Sequence, residues 1–108
     1  MRIPEQSAEQ VAARLEAGEE LTILDCREGF ELRLASISPP VLHVPLGMME
    51  DHADELPLHK PVVVMCHHGV RSMHGAAILI QAGLTQVCSM SGGIDRWSLK
   101  VDLTVPRY

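Results

Sequence analysis

The segment Cys66-His67-His68-Gly69-Val70-Arg71-Ser72 brings a thiol, two imidazoles, a guanidinium and a hydroxyl into one short polar stretch. It is preceded by four apolar residues, Val62-Val63-Val64-Met65, and followed by Ala76 to Ile80, apolar almost all round. That order reads as buried strand, tight loop, buried helix. In open α/β sheets, reactive groups sit where strands end at their C-terminal edge, and a helix starting there aims unpaired amides and its positive dipole into the same space. A thiol at position 66 is therefore expected to ionise more readily, its thiolate stabilised by amide donors, by the helix end, and by Arg71 with His67 or His68. Gly69 lets the loop curl so that successive N–H groups form an anion-binding nest, and Ser72 is expected to cap the helix. The chemistry this predicts is nucleophilic attack by Cys66, with the charge held by the loop.

The remaining chemically able residues read more simply. Cys26 and Cys88 lack a polar loop and are expected to be small core residues, although Cys26 also lies near a strand end. Gly75 is expected to let the helix pack closely, and the six methionines to fill the core. Of the six histidines only His67 and His68 are adjacent, and neighbours in sequence seldom chelate one ion together, so no metal is expected. No cofactor is called for by any motif. Three cysteines without a Cys-x-x-Cys spacing leave at least one thiol free.

These residues need a scaffold, and the composition supplies a modest one: 108 residues, 46% hydrophobic, predict a single domain spanning 1–108. A formal charge of -5 argues against nucleic acid or membrane surfaces as partners. The N-terminus has no basic stretch leading into an apolar core, which predicts a cytoplasmic location. Ser7-Ala8-Glu9-Gln10 has the form of a capping box opening an amphipathic helix that Gly18 ends. Strands are predicted over 21–24, 41–45, 62–65 and 86–89, short helices near 31–34, within 47–60 and over 94–99, and an extended tail from Val101 to Tyr108. Alternation at these spacings predicts an α/β fold, a central mainly parallel sheet of about five strands flanked by helices on both faces.

Ile23-Leu24-Asp25-Cys26-Arg27-Glu28, Val44-Pro45-Leu46, the run Val62 to Ser72 and Ser91-Gly92-Gly93-Ile94-Asp95-Arg96-Trp97 together resemble the single-domain rhodanese family, over nearly the whole chain. The resemblance implies a central parallel sheet, usually of five strands, and a sulfurtransferase in which Cys66 accepts sulfur as a persulfide. By the same resemblance the backbone from His67 to Arg71 cradles the persulfide and incoming oxyanion, while Asp25, Arg27 and Glu28 shape the region beneath. Ile37-Ser38-Pro39-Pro40-Val41 departs from the His-Ile-Pro-Gly-Ala often found in the family, which alters the rim of the pocket. Arg71 is the one permanent cation in the loop, where members using thiosulfate often carry more.

The reading that follows is transfer of sulfane sulfur from thiosulfate or a related donor to cyanide, a thiol or a sulfur-acceptor protein, in two half-reactions through Cys66. Two alternatives accompany it. A phosphatase or arsenate reductase would use a similar loop, but four residues separate Cys66 from Arg71 where the phosphatase signature has five. A binding or sensing module would keep the fold and use the loop for recognition or oxidation alone.

Overall fold

The apolar run Val62–Met65 forms the central strand of the sheet in a computed structural model that describes residues 2–108. Its side chains alternate between two cores: Val62 and Val64 face one, with Leu24, Met49, Ala76 and Leu79, and Val63 and Met65 face the other, with Val11, Met90, Ile94 and Trp97. Burial on both faces is why this strand carries no polar residue. The sheet comprises β1 (Glu5–Ser7), β2 (Thr22–Asp25), β3 (Leu42–His43), β4 (Val62–Met65) and β5 (Val87–Ser91), in the order β1-β5-β4-β2-β3. Every pairing is parallel. The helices are α1 (Ala8–Glu16), α2 (Gly29–Leu34), α3 (Met49–His52, flanked by 3-10 turns), α4 (Val70–Gln81) and α5 (Gly93–Lys100). Helices α1 and α5 pack together, as do α3 and α4.

The predicted elements are present with shifted ends. Ser7 accepts from the Gln10 amide at 3.2 Å and the Gln10 side chain accepts from the Ser7 amide at 2.8 Å, a complete capping box. β3 is only two residues long, because Pro45 follows and turns the chain into a 3-10 segment. β1 was not foreseen: Glu5-Gln6-Ser7 is polar and short, and its edge position beside β5 needs no apolar pattern. Gly75 is where α4 meets the sheet, since a Cβ there would stand 3.2 Å from Val64 Cγ1 and 3.3 Å from Met49 Cε. Among the described residues no helix is long and apolar enough to cross a membrane.

Candidate active site

The strands β2 and β4 end side by side, and the loop after β4 folds back over their C-terminal edge. Cys66, 1% exposed, is the first residue past β4. Its Sγ accepts the backbone N–H of Gly69 at 3.1 Å and of Ser72 at 3.3 Å. The Ser72 hydroxyl lies 3.4 Å from the sulfur and 2.7 Å from the Ser89 hydroxyl on β5. When Cys66 is ionised, Ser89 can donate to Ser72 and Ser72 to the sulfur.

Ser72 therefore does not cap α4. Gly69 is the N-cap, at φ 104°, and Ser72 lies in the first turn with its side chain turned inward. A cap with no side chain leaves the first amides of the helix free for the sulfur, and the left-handed angle favours glycine.

The loop is held from outside by α5. The carbonyls of Cys66 and His67 accept the N–H groups of Ile94 at 2.9 Å and Asp95 at 3.1 Å, so the loop's acceptors are occupied and its donors remain for the sulfur. Gly93, at φ 57°, makes this approach feasible: a Cβ there would fall 2.4 Å from the Cys66 carbonyl oxygen and 2.5 Å from that of His67. Gly93→Ala is expected to destabilise the fold by about 2–3 kcal/mol through a strained angle and a backbone clash. Urea unfolding measures this, and an unchanged midpoint would contradict the clamp.

Cys26 is buried in the core as expected, and β2 brings it beside Cys66 in the same core cluster. The Cys66 thiol is held well below its ordinary value, first by the neighbouring Cys26 side chain and then by the Ser72 hydroxyl and amide and the Gly69 amide, against burial. Cys26 is pushed in the opposite direction, because its protonated form is favoured beside Cys66 and losing the proton would place a second charge there in a buried site. Both directions favour the negative charge on Cys66, the sulfur at which the Gly69 and Ser72 amides point. A lowered value means the thiolate is present above the folded-state pKa and disappears only as the pH falls through it. Thiolate absorbance near about 240 nm, taken as wild type minus Cys66→Ser, is expected to persist below pH 6, whereas an ordinary thiol titrates near about 8.5. A single step near the ordinary value would refute the assignment.

Arg71 departs from the expectation of a free loop cation. Its guanidinium is held by both carboxylate oxygens of Glu31 on α2, at 2.7 and 2.8 Å, and this pairing keeps the Glu31 carboxyl down at about 2. Glu31 also accepts from the Tyr108 hydroxyl at 3.0 Å, and that hydroxyl accepts from Arg27 at 2.9 Å. The Tyr108 ring stacks on His67 at 3.8 Å, and His67 on His68 at 3.8 Å, so the predicted extended tail returns to cover the loop. His67 Nε2 is buried without a hydrogen-bond partner among the described residues. His68 is exposed and Val70 is 79% exposed, at the outer surface of the loop. His67, His68 and Asp95 bring one ligand atom each within 4.8 Å of one another, but Asp95 is already paired with Arg107.

Beneath the loop, Asp25 and Arg27 form a buried pair, with Nε to Oδ1 at 3.0 Å and Nη2 to Oδ2 at 2.8 Å. Arg27 also donates to the carbonyls of Glu31 and Ala35 and is fully buried. Glu28 is exposed; its amide donates to Glu31 at 2.9 Å and starts α2. Glu31, Ser89 and Tyr108 were missed by sequence reasoning because nothing near them in the chain marks them. Cys26 carried a signal, its place at a strand end, which became informative only once β2 was seen beside β4. Cys88 lies on the other face, packed with the core around Trp97.

A parallel α/β sheet whose central strand delivers a buried cysteine to the backbone amides of Gly69 and Ser72 at the start of a helix defines the class of protein. The description "Rhodanese-like domain" matches residues 7–100, and the chain belongs to that family. It is 36% identical over 78 residues to the thiosulfate sulfurtransferase GlpE of Actinobacillus pleuropneumoniae serotype 5b (strain L20), covering 70% of this chain and 69% of that protein. It is also 36% identical over 100 residues to YrkF of Bacillus subtilis (strain 168), named as a candidate sulfur carrier protein; 93% of this chain matches, and it spans 54% of that relative. Among solved structures, a rhodanese-related protein from Thermoplasma volcanium superposes with a TM-score of 0.80 at 30% identity, covering 91% of this chain and 93% of the other.

Proposed function

We propose that this protein is a sulfurtransferase that carries sulfane sulfur as a persulfide on Cys66. The observation that carries the reading is the set of polar groups converging on one sulfur: the amides of Gly69 and Ser72 and the Ser72 hydroxyl. The Cys66 thiolate attacks the outer sulfur of thiosulfate, the bond to the sulfonate sulfur breaks, sulfite leaves with the electron pair, and Cys66–S–S⁻ remains. Cyanide, a thiol or an acceptor protein then takes the outer sulfur and returns the thiolate. The same N–H groups serve both halves, because the charge moves by only one sulfur atom. Membership of the rhodanese-like family, and relatives named as thiosulfate sulfurtransferases, support this assignment.

The Glu31 clamp bears on the donor. A guanidinium already neutralised by a carboxylate attracts a dianion less than a free one, so loading relies on amides rather than on net positive charge. The same clamp argues against a phosphatase, which requires its arginine for the phosphoryl oxygens. The decisive measurement is intact mass after incubating reduced protein with thiosulfate. Wild type is expected to gain about 32 Da, one sulfur, and to lose it on adding cyanide, while Cys66→Ser gains nothing. Absence of the gain with thiosulfate and with polysulfide would leave a binding or sensing module.

A further inference from the structure

Cys26 and Cys66 occupy equivalent places on neighbouring parallel strands. Asp25 pairs with Met65, and the Cys26 amide donates to the Met65 carbonyl at 2.9 Å, so the ladder continues one residue beyond the strands. Both cysteines fall two residues after core neighbours Leu24 and Val64 and belong to the same core face. Adjacent strands are about 4.8 Å apart, inside the range of about 4.4–6.8 Å that a disulfide spans between Cα atoms. Each cysteine is 1% exposed, and both are free thiols. A thiol fixed beside the nucleophile and buried with it acts on the inner sulfur at an effective concentration that a dissolved thiol does not match.

We propose that Cys26 is a resolving thiol that discharges the Cys66 persulfide as hydrosulfide and leaves a Cys26–Cys66 disulfide. This rests on the persulfide reading above. In the step, Cys26 Sγ bonds to Cys66 Sγ, the bond from Cys66 Sγ to the outer sulfur breaks, and the outer sulfur leaves with the electron pair. The proton of Cys26 goes to the departing sulfur, giving HS⁻ from Cys66–S–S⁻ and Cys26–SH. The sulfane sulfur is the oxidant and is reduced to sulfide; the two cysteines are oxidised to the disulfide. A small thiol or protein dithiol reduces that disulfide and reopens the site. Loading the persulfide itself favours the step: the negative charge moves from Cys66 Sγ to the outer sulfur, so Cys26 then stands beside a neutral sulfur rather than a thiolate. The amides of Gly69 and Ser72 remain to receive the charge of the leaving sulfur. The protein would thereby possess a sulfide-releasing activity separate from sulfur transfer to an acceptor.

The test loads reduced, desalted wild type, Cys26→Ser, Cys26→Ala and Cys66→Ser with thiosulfate or polysulfide, removes the donor and excludes thiols. Intact mass and free sulfide are then followed over time. Wild type is expected to pass from about 32 Da above the reduced mass to about 2 Da below it, releasing one equivalent of sulfide, with Cys26 and Cys66 linked in the peptide map. Protein never exposed to donor stays at the reduced mass, and both Cys26 variants keep the added sulfur at least about 10-fold longer. A persulfide as durable in wild type as in folded Cys26→Ser or Cys26→Ala, with no oxidised species, overturns this proposal and leaves the sulfurtransferase reading standing. No added sulfur in wild type or in either Cys26 variant overturns the sulfurtransferase reading, and this one with it.

Discussion

Cys66→Ser is expected to lower sulfur transfer from thiosulfate to cyanide by at least about 10⁴-fold, the scale on which removal of a covalent nucleophile acts. The hydroxyl is nearly the size of the thiol, so the fold is kept, but it would not ionise at neutral pH even with the Gly69 and Ser72 amides aimed at it. The two remaining thiols are poor substitutes. Cys88 lies on the opposite face of the sheet, and Cys26 is held protonated while Cys66 is ionised. Initial rates at saturating thiosulfate, with far-UV circular dichroism as the control for folding, make the comparison. A serine variant retaining a tenth of the rate would remove Cys66 from the centre of the mechanism.

Asp25→Ala is expected to cost about 3–5 kcal/mol, because it leaves the Arg27 guanidinium fully buried without its counter-charge. Three of its hydrogen bonds go to the Asp25 carboxylate, and the others, to two carbonyls and the Tyr108 hydroxyl, carry no negative charge to balance it. Those same contacts connect β2 to α2 and to the tail, so the loss should also loosen Glu31 and, through it, Arg71. With a urea slope of about 1–3 kcal/mol per molar, the midpoint should fall by more than 1 M. The double variant Asp25→Leu with Arg27→Met is expected to recover most of the stability, since no unpaired charge remains. If the double variant were less stable than Asp25→Ala, the cost would lie in lost packing rather than in the orphaned cation.

The strands β2 to β5, the helices and the polar loop were readable because each depends on residues close in the chain. Val62 to Met65 is apolar without interruption since β4 is covered on both faces, and Ser7 and Gln10 cap each other across a single turn. The position of Cys66 after such a strand and before such a helix was enough to single it out. The role given to Ser72 was wrong for a local reason: a hydroxyl near a helix start usually caps it, but here a glycine with a positive φ takes the cap and releases the serine to the sulfur.

What the sequence determined by itself is the alternation of elements and the place of Cys66 between the central strand and a buried helix, since hydrophobic period, turn chemistry and loop polarity are properties of neighbouring residues. The tertiary structure alone decided what surrounds that cysteine. Arg71 meets Glu31 across forty residues of chain, and Tyr108 reaches Glu31 across seventy-seven. Cys26 meets Cys66 only because β2 lies beside β4 in the sheet order. Strand order follows from how the helices of both faces pack against the sheet as a whole, and that packing energy is shared among residues distant in sequence. No local pattern encodes it, and the proton balance of the site depends on it.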